Sequence, residues 1–129
     1  MKTTVHTDKA PAAIGPYSQA ISVNGFLYIS GQIALNPETM ELEMENIQTE
    51  TKRVMTNVKA ILNEAGMDFS NVVKTSIFLS NMELFASVNE VYGLYFDSNG
   101  ILPARETVAV LGLPKDVNVE VSLIAYQKC

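Results

Sequence analysis

Two charged side chains stand where the sequence predicts β-strands, and both could take part in ligand binding or acid–base chemistry. Arg105 follows Pro103 at the entrance to one strand, and Glu120 interrupts an otherwise apolar run from Val117 to Ala125. An arginine guanidinium matches a carboxylate, and such a pair contributes about 1.5–3 kcal/mol when shielded from water. A carboxylate in a pocket can serve as a general base or acid toward water. The alternatives are a surface salt bridge for Arg105 and a structural or solvated position for Glu120.

Two short glycine-containing segments could bring polar groups close to a ligand. Gly15-Pro16-Tyr17-Ser18 places a tyrosine and a hydroxyl before the first predicted strand of a hairpin, and Ser30-Gly31-Gln32 ends the second strand. A glycine at a strand end lets the backbone approach a ligand closely. Both segments could equally be ordinary turns, and neither has the pattern of a phosphate loop. Arg53 is interpreted as a solvated helix charge, and Asn89 and Tyr92 as core or interface positions of a second helix.

The composition disfavours several other kinds of site. The chain has 129 residues, a net charge of −5, one histidine and one cysteine, which are His6 and Cys129. One chain therefore cannot build a His/Cys zinc cage or a disulfide framework, and a Ser-His-Asp triad would depend on His6, in a segment we expect to be mobile. The acidic balance disfavours nucleic acid as a partner.

The hydropathy pattern predicts neither a membrane span nor a secretory signal. No 18-residue apolar run occurs, and the first residues lack an apolar h-region. We therefore expect one globular domain over residues 1–129, located in the cytoplasm, with no membrane partner.

Hydrophobic periodicity predicts strands and helices in the order ββ(β)αβαββ, a two-layer α+β domain. The predicted elements are a hairpin of Ala20–Val23 and Phe26–Ser30 around Asn24-Gly25, a weak strand near Met40–Met44, a helix from Ile47 to Ala65 between Asn46 and Gly66, a strand over Asn71–Leu79, a helix opened by the capping-box spacing from Ser80 to Glu83 and reaching Phe96, and strands over Glu106–Leu111 and Val117–Tyr126.

The last strand predicts an uncovered apolar surface. Val119, Val121, Leu123 and Ala125 alternate with Glu120, Ser122, Ile124 and Tyr126, so the two sets point to opposite faces of the sheet. Two helices can cover only one face of five or six strands. Because the other face also carries apolar side chains, we expect a second copy of the chain to cover it.

Seven segments, taken together and in order, resemble the Rid family, the RidA/YjgF group of reactive-intermediate (enamine/imine) deaminases. They cover nearly the whole chain, from about Ala12 to Ala125, and are Gly15-Pro16-Tyr17-Ser18-Gln19-Ala20, Ile29-Ser30-Gly31-Gln32-Ile33, Asn57-Val58-Lys59-Ala60-Ile61-Leu62, Val73-Lys74-Thr75, Phe85-Ala86-Ser87-Val88-Asn89, Pro103-Ala104-Arg105 and Leu113-Pro114-Lys115-Asp116-Val117.

The resemblance implies a chorismate-mutase-like α+β subunit with a six-stranded mixed sheet and two helices on one face. It also implies a homotrimer whose sheets form a central barrel, with three active clefts between subunits. The implied activity is that of a 2-iminobutanoate/2-iminopropanoate deaminase, which hydrolyses 2-enamines and 2-imines such as 2-aminoacrylate to 2-keto acids and ammonia. No cofactor and no metal are implied.

By the same resemblance, Arg105 binds the substrate carboxylate and Glu120 is the acid associated with the hydrolytic water. The remaining substrate-binding positions fall on Tyr17, Ser30, Gly31, Asn89 and Thr107. Thr107 stands where close relatives often carry cysteine. If this residue acts through its backbone the change is mild, and if its side chain shapes the pocket the substrate preference shifts.

Two other functions remain open at the level of sequence. The first is a non-catalytic trimer that binds or senses small carboxylated metabolites in the same cleft, because one fold can carry several functions. The second is a ribonuclease or translation inhibitor, which the net charge of −5 and the absence of a basic stripe disfavour.

Overall fold

The computed structural model describes residues 1–128 and contains one six-stranded sheet with two α-helices packed on one of its faces. Cys129, which the disulfide expectation concerns, lies outside the described residues. The elements are β1 (Thr3–Val5), β2 (Ala20–Val23), β3 (Phe26–Gln32), α1 (Ile47–Glu64), β4 (Val72–Leu79), α2 (Phe85–Gly93), β5 (Ala104–Ala109) and β6 (Val119–Tyr126), with 3-10 turns at Phe69–Asn71, Met82–Leu84 and Pro114–Asp116.

The strands lie in the order β1-β2-β3-β6-β4-β5. Only the β4–β5 pair is parallel within the described sheet, because α2 carries the chain from the end of β4 back to the start of β5. Every other neighbouring pair is antiparallel. This confirms the predicted two-layer α+β fold with a mixed sheet.

The Asn24-Gly25 hairpin forms as predicted. Asn24 has φ of 51° and Gly25 has φ of 85°, which are the two positive values that a type I′ turn requires. The turn fixes the register of β2 against β3, with Val23 opposite Phe26. It therefore determines which side chains of β3 point toward the helices.

Helix α1 also matches its prediction. The Asn46 side chain accepts a hydrogen bond from the Thr49 amide at 2.8 Å, and Gly66 follows the helix with φ of 74°. Its apolar stripe is fully buried against the sheet, with no exposed area at Val54, Met55, Val58, Ile61 and Leu62. Helix α1 thus supplies most of the layer that covers the sheet.

The N-terminal segment is more ordered than the sequence predicts. Thr3–Val5 forms the edge strand β1, in which Thr3 lies opposite Ser22 and Val5 opposite Ala20. The expectation of a mobile segment is therefore wrong up to the residue before His6. A strand of three residues is too short to show an alternating pattern, and for this reason hydrophobic periodicity contains no signal for it.

The predicted strand near Met40–Met44 is wrong. This segment makes one isolated bridge, between Leu35 and Leu42, and is otherwise irregular, with a turn at residues 37–39 just before it. Met40 has φ of 59° and donates its amide to the Asn36 carbonyl at 2.7 Å. Met40 therefore adopts the left-handed conformation that glycine takes up most readily.

The second helix begins and ends differently from its prediction. Asn81, and not Ser80, caps the entrance by accepting a hydrogen bond from the Glu83 amide at 2.8 Å, and the first turn is a 3-10 turn. Helix α2 ends at Gly93, so Phe96 lies beyond it. Strand β5 begins at Ala104, two residues earlier than predicted, and β6 begins two residues later, at Val119.

The two faces of the sheet differ as the alternation in β6 predicts. Val119, Val121, Leu123 and Ala125 are buried under the helices. The opposite face, which we call the open face, carries the aromatic side chains of Phe26, Tyr28 and Tyr126, which remain 37%, 45% and 40% exposed. No helix of residues 1–128 covers this face. The same residues include no helix with the length and apolar character that a membrane crossing needs.

Removal of the α1 cap tests the role assigned to Asn46. We expect Asn46→Ala to lower the free energy of unfolding by about 1 kcal/mol, because the Thr49 amide loses its acceptor, and Asn46→Ser to stay close to wild type. Urea unfolding of both variants measures the difference. Equal stability of Asn46→Ala and wild type would contradict the assigned cap.

Candidate functional site

Glu120 lies beside an irregularity in the neighbouring strand. The pairing of β3 with β6 shifts register between Ile29 and Gln32, so Ser30 and Gly31 form a bulge. Such bulges redirect side chains and often border active sites. A Cβ atom placed on Gly31 would stand 2.6 Å from Glu120 Oε1 and 2.7 Å from its Cδ. Glycine at position 31 therefore leaves the space in which the Glu120 carboxyl lies.

The Glu120 carboxyl faces a cleft of about 580 Å³, the Glu120 cleft. Its lining includes Pro11, Ile14, Tyr17, Ser30, Gly31 and Glu120. The structure thus brings together four of the site residues expected from the resemblance. The other lining residues are mostly apolar, with Gln19, Gln32 and Lys115 as the polar exceptions, so the cleft presents one carboxylate in mixed but largely apolar surroundings.

Buried hydrogen bonds hold the loop that forms one wall of the Glu120 cleft. The Gln19 side chain accepts from the Thr7 amide at 2.8 Å and donates to the carbonyls of Thr7, Ala10 and Pro11. Ser30 Oγ donates to the Ser18 carbonyl at 2.6 Å. These bonds fix both ends of the segment that carries Tyr17, whose ring remains 53% exposed.

The electrostatics of the Glu120 cleft raise the proton affinity of its carboxyl. Burial raises the pKa of Glu120 above its ordinary value, because removal from water penalises the charged form. No arginine or lysine of the described residues forms an ion pair with it. A carboxyl whose pKa lies closer to neutrality takes up and releases a proton more easily during a reaction.

Arg105 stands in a second cleft, held by neutral groups. Its Nη1 donates to Asn89 Oδ1 at 2.7 Å, and its Cζ lies 5.1 Å from the centre of the Tyr92 ring and 5.6 Å from that of Phe85. Burial raises the pKa of Tyr92, so the phenol stays neutral, and its hydroxyl donates to Thr75 Oγ1 at 3.1 Å. Nothing near the guanidinium compensates its positive charge within residues 1–128.

Arg53, the other arginine of the chain, forms an ion pair and serves as a comparison for Arg105. Arg53 Nε lies 3.2 Å from Glu43 Oε2, with the Arg53 side chain only 20% exposed. The sequence interpretation of Arg53 as a solvated helix charge is therefore wrong, because its charge is neutralised in a half-buried ion pair. Arg105 lacks such a partner among the described residues and remains available for an anion.

The Arg105 cleft has a volume of about 530 Å³. Its lining includes Asn89, Tyr92, Phe96, Leu102, Pro103 and Arg105. Thr107 lies two residues further along β5, on the same face as Arg105, and lines neither cleft. The Thr107 hydroxyl oxygen is buried and has no hydrogen-bond partner among the described residues.

The two clefts lie on opposite faces of the sheet. In β4, Thr75 faces the helices and its neighbour on β5 is Arg105, whereas Phe78 faces the open side and its neighbour on β6 is Glu120. Side chains alternate along a strand, so Arg105 and Glu120 point away from each other. Within one chain the expected site residues therefore fall into two separate groups: Asn89 and Arg105 in one cleft, and Tyr17, Ser30, Gly31 and Glu120 in the other.

Sequence reasoning missed two buried polar residues whose hydrogen bonds fix segments that carry the Glu120 cleft. Glu50 and Gln19 are 0% and 2% exposed, and each makes several hydrogen bonds to backbone groups. Glu50 had a signal in the sequence, because a glutamate at this position interrupts the apolar stripe of α1. Gln19 had none, because it lies in a loop without periodicity.

A family model described as Endoribonuclease L-PSP matches residues 7–127. The chain belongs to this family. A crystal structure of YyfA from Yersinia pestis, described as a member of the Rid protein family, superposes with a TM-score of 0.94 at 46% identity and covers 98% of this chain and 100% of that one. The resemblance to the Rid family is thereby confirmed.

Two further members of the family carry more specific descriptions. The mouse protein named 2-iminobutanoate/2-iminopropanoate deaminase is 46% identical over 127 residues, which are 98% of this chain and 93% of its own length. The structure of Escherichia coli TdcF with bound serine has a TM-score of 0.92 at 36% identity and covers 98% of this chain and 99% of that one. Several other relatives carry only the general name RutC family protein.

The raised pKa of Glu120 predicts a pH-dependent stability difference. The folded protein binds this proton more tightly than the unfolded chain, so Glu120 lowers the free energy of unfolding as pH rises above the ordinary carboxyl range. We expect Glu120→Gln to be more stable than wild type at pH 7 and equally stable below about pH 4. Urea unfolding at both pH values measures this, with Glu38→Gln, at an exposed loop position, as the control. Lower stability of Glu120→Gln at pH 7 would contradict the assignment.

Proposed function

We propose that this protein hydrolyses reactive 2-enamines and 2-imines, such as 2-aminoacrylate, to 2-keto acids and ammonia. The observation that carries the proposal is the Arg105 guanidinium, which is oriented in a cleft by neutral groups and not neutralised by any carboxylate of the described residues. A cation held in this way favours a small anion, and the carboxylate of an imino acid fits the guanidinium.

The named relatives support a small carboxylated ligand. The mouse relative is named for 2-imino acids, and Escherichia coli TdcF was solved with serine, so both ligands carry a carboxylate next to the carbon that bears nitrogen. In this chain Asn89 occupies one N–H of the guanidinium, and the others are left for the ligand. The Tyr92 and Phe85 rings lie beside the guanidinium, which is exposed in the single chain.

In the proposed reaction, Glu120 handles the water. The enamine first tautomerises to the imine, and the protonated imine carbon is electrophilic. Glu120 takes a proton from a water molecule as the water oxygen bonds to this carbon and the C=N π electrons move to the nitrogen. Glu120 then returns this proton to the nitrogen. The C–N bond breaks to release ammonia while the hydroxyl gives its proton back to Glu120 and the C=O bond forms, and the released ammonia or solvent takes up this last proton. The raised pKa of Glu120 suits a group that must accept and return one proton.

The proposed site needs two copies of the chain. Arg105 and Glu120 lie on opposite faces of one sheet, so a single substrate reaches both only where the Arg105 cleft of one subunit meets the Glu120 cleft of another. We propose the homotrimer that the family resemblance implies, with the exposed aromatic side chains of the open face covered by the neighbouring subunits. Backbone carbonyls at Gly31 and Thr107 are candidates to accept hydrogen bonds from the substrate nitrogen.

Two alternatives differ in their outcomes. A non-catalytic metabolite-binding trimer would use Arg105 in the same way and give no turnover. The family description names an endoribonuclease, but the net charge of −5 disfavours binding to a phosphate backbone. The proposal includes a cytoplasmic location and neither a cofactor nor a metal.

The activity is tested by releasing 2-aminoacrylate from serine with a dehydratase and following pyruvate. We expect wild-type protein to accelerate pyruvate formation, and Arg105→Ala to lose about 10²-fold or more in kcat/KM, because it loses charge-assisted hydrogen bonds to the carboxylate. Arg53→Ala is the matched control, since its charge is neutralised by Glu43 in the native protein.

The pyruvate assay, a binding measurement with a 2-keto acid and an RNA cleavage assay together decide between the functions. Acceleration that is lost in Arg105→Ala and kept in Arg53→Ala supports the deaminase. Tight binding of a 2-keto acid without acceleration would contradict it in favour of the binding protein. RNA cleavage that survives repurification and is lost on substitution of a named residue would favour the ribonuclease.

A further inference from the structure

We propose that Glu50, on α1, is a positioning residue for Glu120: its buried carboxylate fixes the first residues of β6 and so holds the Glu120 side chain over Gly31. The proposal deepens the proposed function, because it concerns the residue that handles the water. It rests on contacts among Glu50, Asn118 and Val119.

Glu50 is fully buried and all its contacts lead to the start of β6. Its Oε2 accepts from the Asn118 amide at 2.7 Å and from the Val119 amide at 3.2 Å, and its Oε1 accepts from Asn118 Nδ2 at 2.9 Å. Strand β3 pairs with β6 only from Val121 onward. The carboxylate thus binds backbone groups of β6 that lie before the first β3 partner.

The segment before these contacts is strained. In the turn at Pro114–Asp116, both Lys115 and Asp116 have positive φ, 55° and 57°, although neither is glycine. Non-glycine residues in this conformation persist only where the surroundings fix them. Pro114 and Lys115 line the Glu120 cleft. The Glu50 carboxylate binds the chain immediately after this turn and before Glu120, so it fixes both.

A fourth hydrogen bond connects Asn118 to the residue that follows β4. Ser80 Oγ donates to Asn118 Oδ1 at 3.0 Å, so Asn118 is held between Glu50 and the end of β4. All donors and acceptors of this chain of groups are matched: the Asn118 side-chain amide donates to the carboxylate and accepts from the hydroxyl. Replacement of the Asn118 side-chain amide with a carboxylate therefore removes its hydrogen bond to Glu50.

The variants Asn118→Asp and Glu50→Gln/Asn118→Asp distinguish a role of Glu50 in positioning Glu120 from a role only in the stability of the fold. In Asn118→Asp, a carboxylate replaces the amide and faces the Glu50 carboxylate, which removes one hydrogen bond and adds repulsion between like charges. In the double variant the two side chains exchange roles: the introduced glutamine amide donates to the introduced aspartate, which still accepts from Ser80. The matched control is Asn99→Asp, at an exposed loop position.

The experiment measures kcat, KM and the titration of the Glu120 carboxyl by 13C NMR, with the signal assigned from Glu120→Gln. We expect Asn118→Asp to lower kcat by about tenfold to 10²-fold, since misplacement by about 1 Å has costs of this size. KM should change less than about twofold, since the carboxylate is bound by Arg105 of a neighbouring subunit in the proposed site, which the substitution does not touch. The Glu120 pKa should return toward its ordinary value, and the double variant should restore kcat and pKa.

Two results would overturn the proposal. One is an Asn118→Asp protein that is less stable in urea but keeps the wild-type kcat and Glu120 titration, because Glu50 would then act only in folding. The other is a double variant that folds and recovers neither kcat nor the titration. If wild type has no deaminase activity, the proposed function fails, and the NMR titration alone still decides whether Glu50 positions Glu120.

Discussion

The proposed function depends on an arginine whose charge is held by neutral partners. A carboxylate beside Arg105 would have neutralised the guanidinium, as Glu43 neutralises Arg53. Asn89 instead fixes one guanidinium nitrogen, and the rings of Tyr92 and Phe85 fix the plane. Such partners orient a cation at little cost to its attraction for an external anion. The remaining features of the site act on whatever small acid this cation binds.

The topology of the sheet determines how that acid can meet the second functional group. Because β4 lies between β5 and β6, and because side chains alternate along each strand, Arg105 faces the helices and Glu120 faces the open side. The open face also carries exposed aromatic residues, among them Phe26 and Tyr126, whose ring centres are 4.8 Å apart. In the proposed homotrimer, the contact between subunits would therefore cover this apolar surface and also bring Arg105 of one subunit near Glu120 of another.

Much of the fold could be predicted from the sequence, because its signals are local. The Asn24-Gly25 turn, the cap at Asn46 and the stripe of α1 each depend on neighbouring residues, and all three were confirmed. Strand β1 and the boundaries of α2 could not be predicted, because pairing with β2 and the Asn81 cap override weak propensities. The segment near Met40 has the composition of a strand, but the hydrogen bond from the Met40 amide to the Asn36 carbonyl closes a turn there instead.

The residue types of the candidate site could be predicted from the sequence, but their division between two clefts could not. Periodicity identified Arg105 and Glu120 as unusual, and the family resemblance supplied their expected roles. That they occupy different clefts follows from the strand order, which no local pattern contains. Gln19 and Glu50 act through backbone groups distant in sequence, such as the Glu50 contact with Val119, so their hydrogen bonds appear only in the folded chain.

Subunit complementation tests the central claim most directly. Arg105→Ala and Glu120→Gln chains, each expected to be inactive alone, are co-expressed and assembled into mixed oligomers. If each site takes Arg105 from one chain and Glu120 from another, about one quarter of the sites in a random mixture contain both native residues. We therefore predict recovery of about a quarter of the wild-type activity. A mixture no more active than the two variants measured separately would contradict a site shared between subunits.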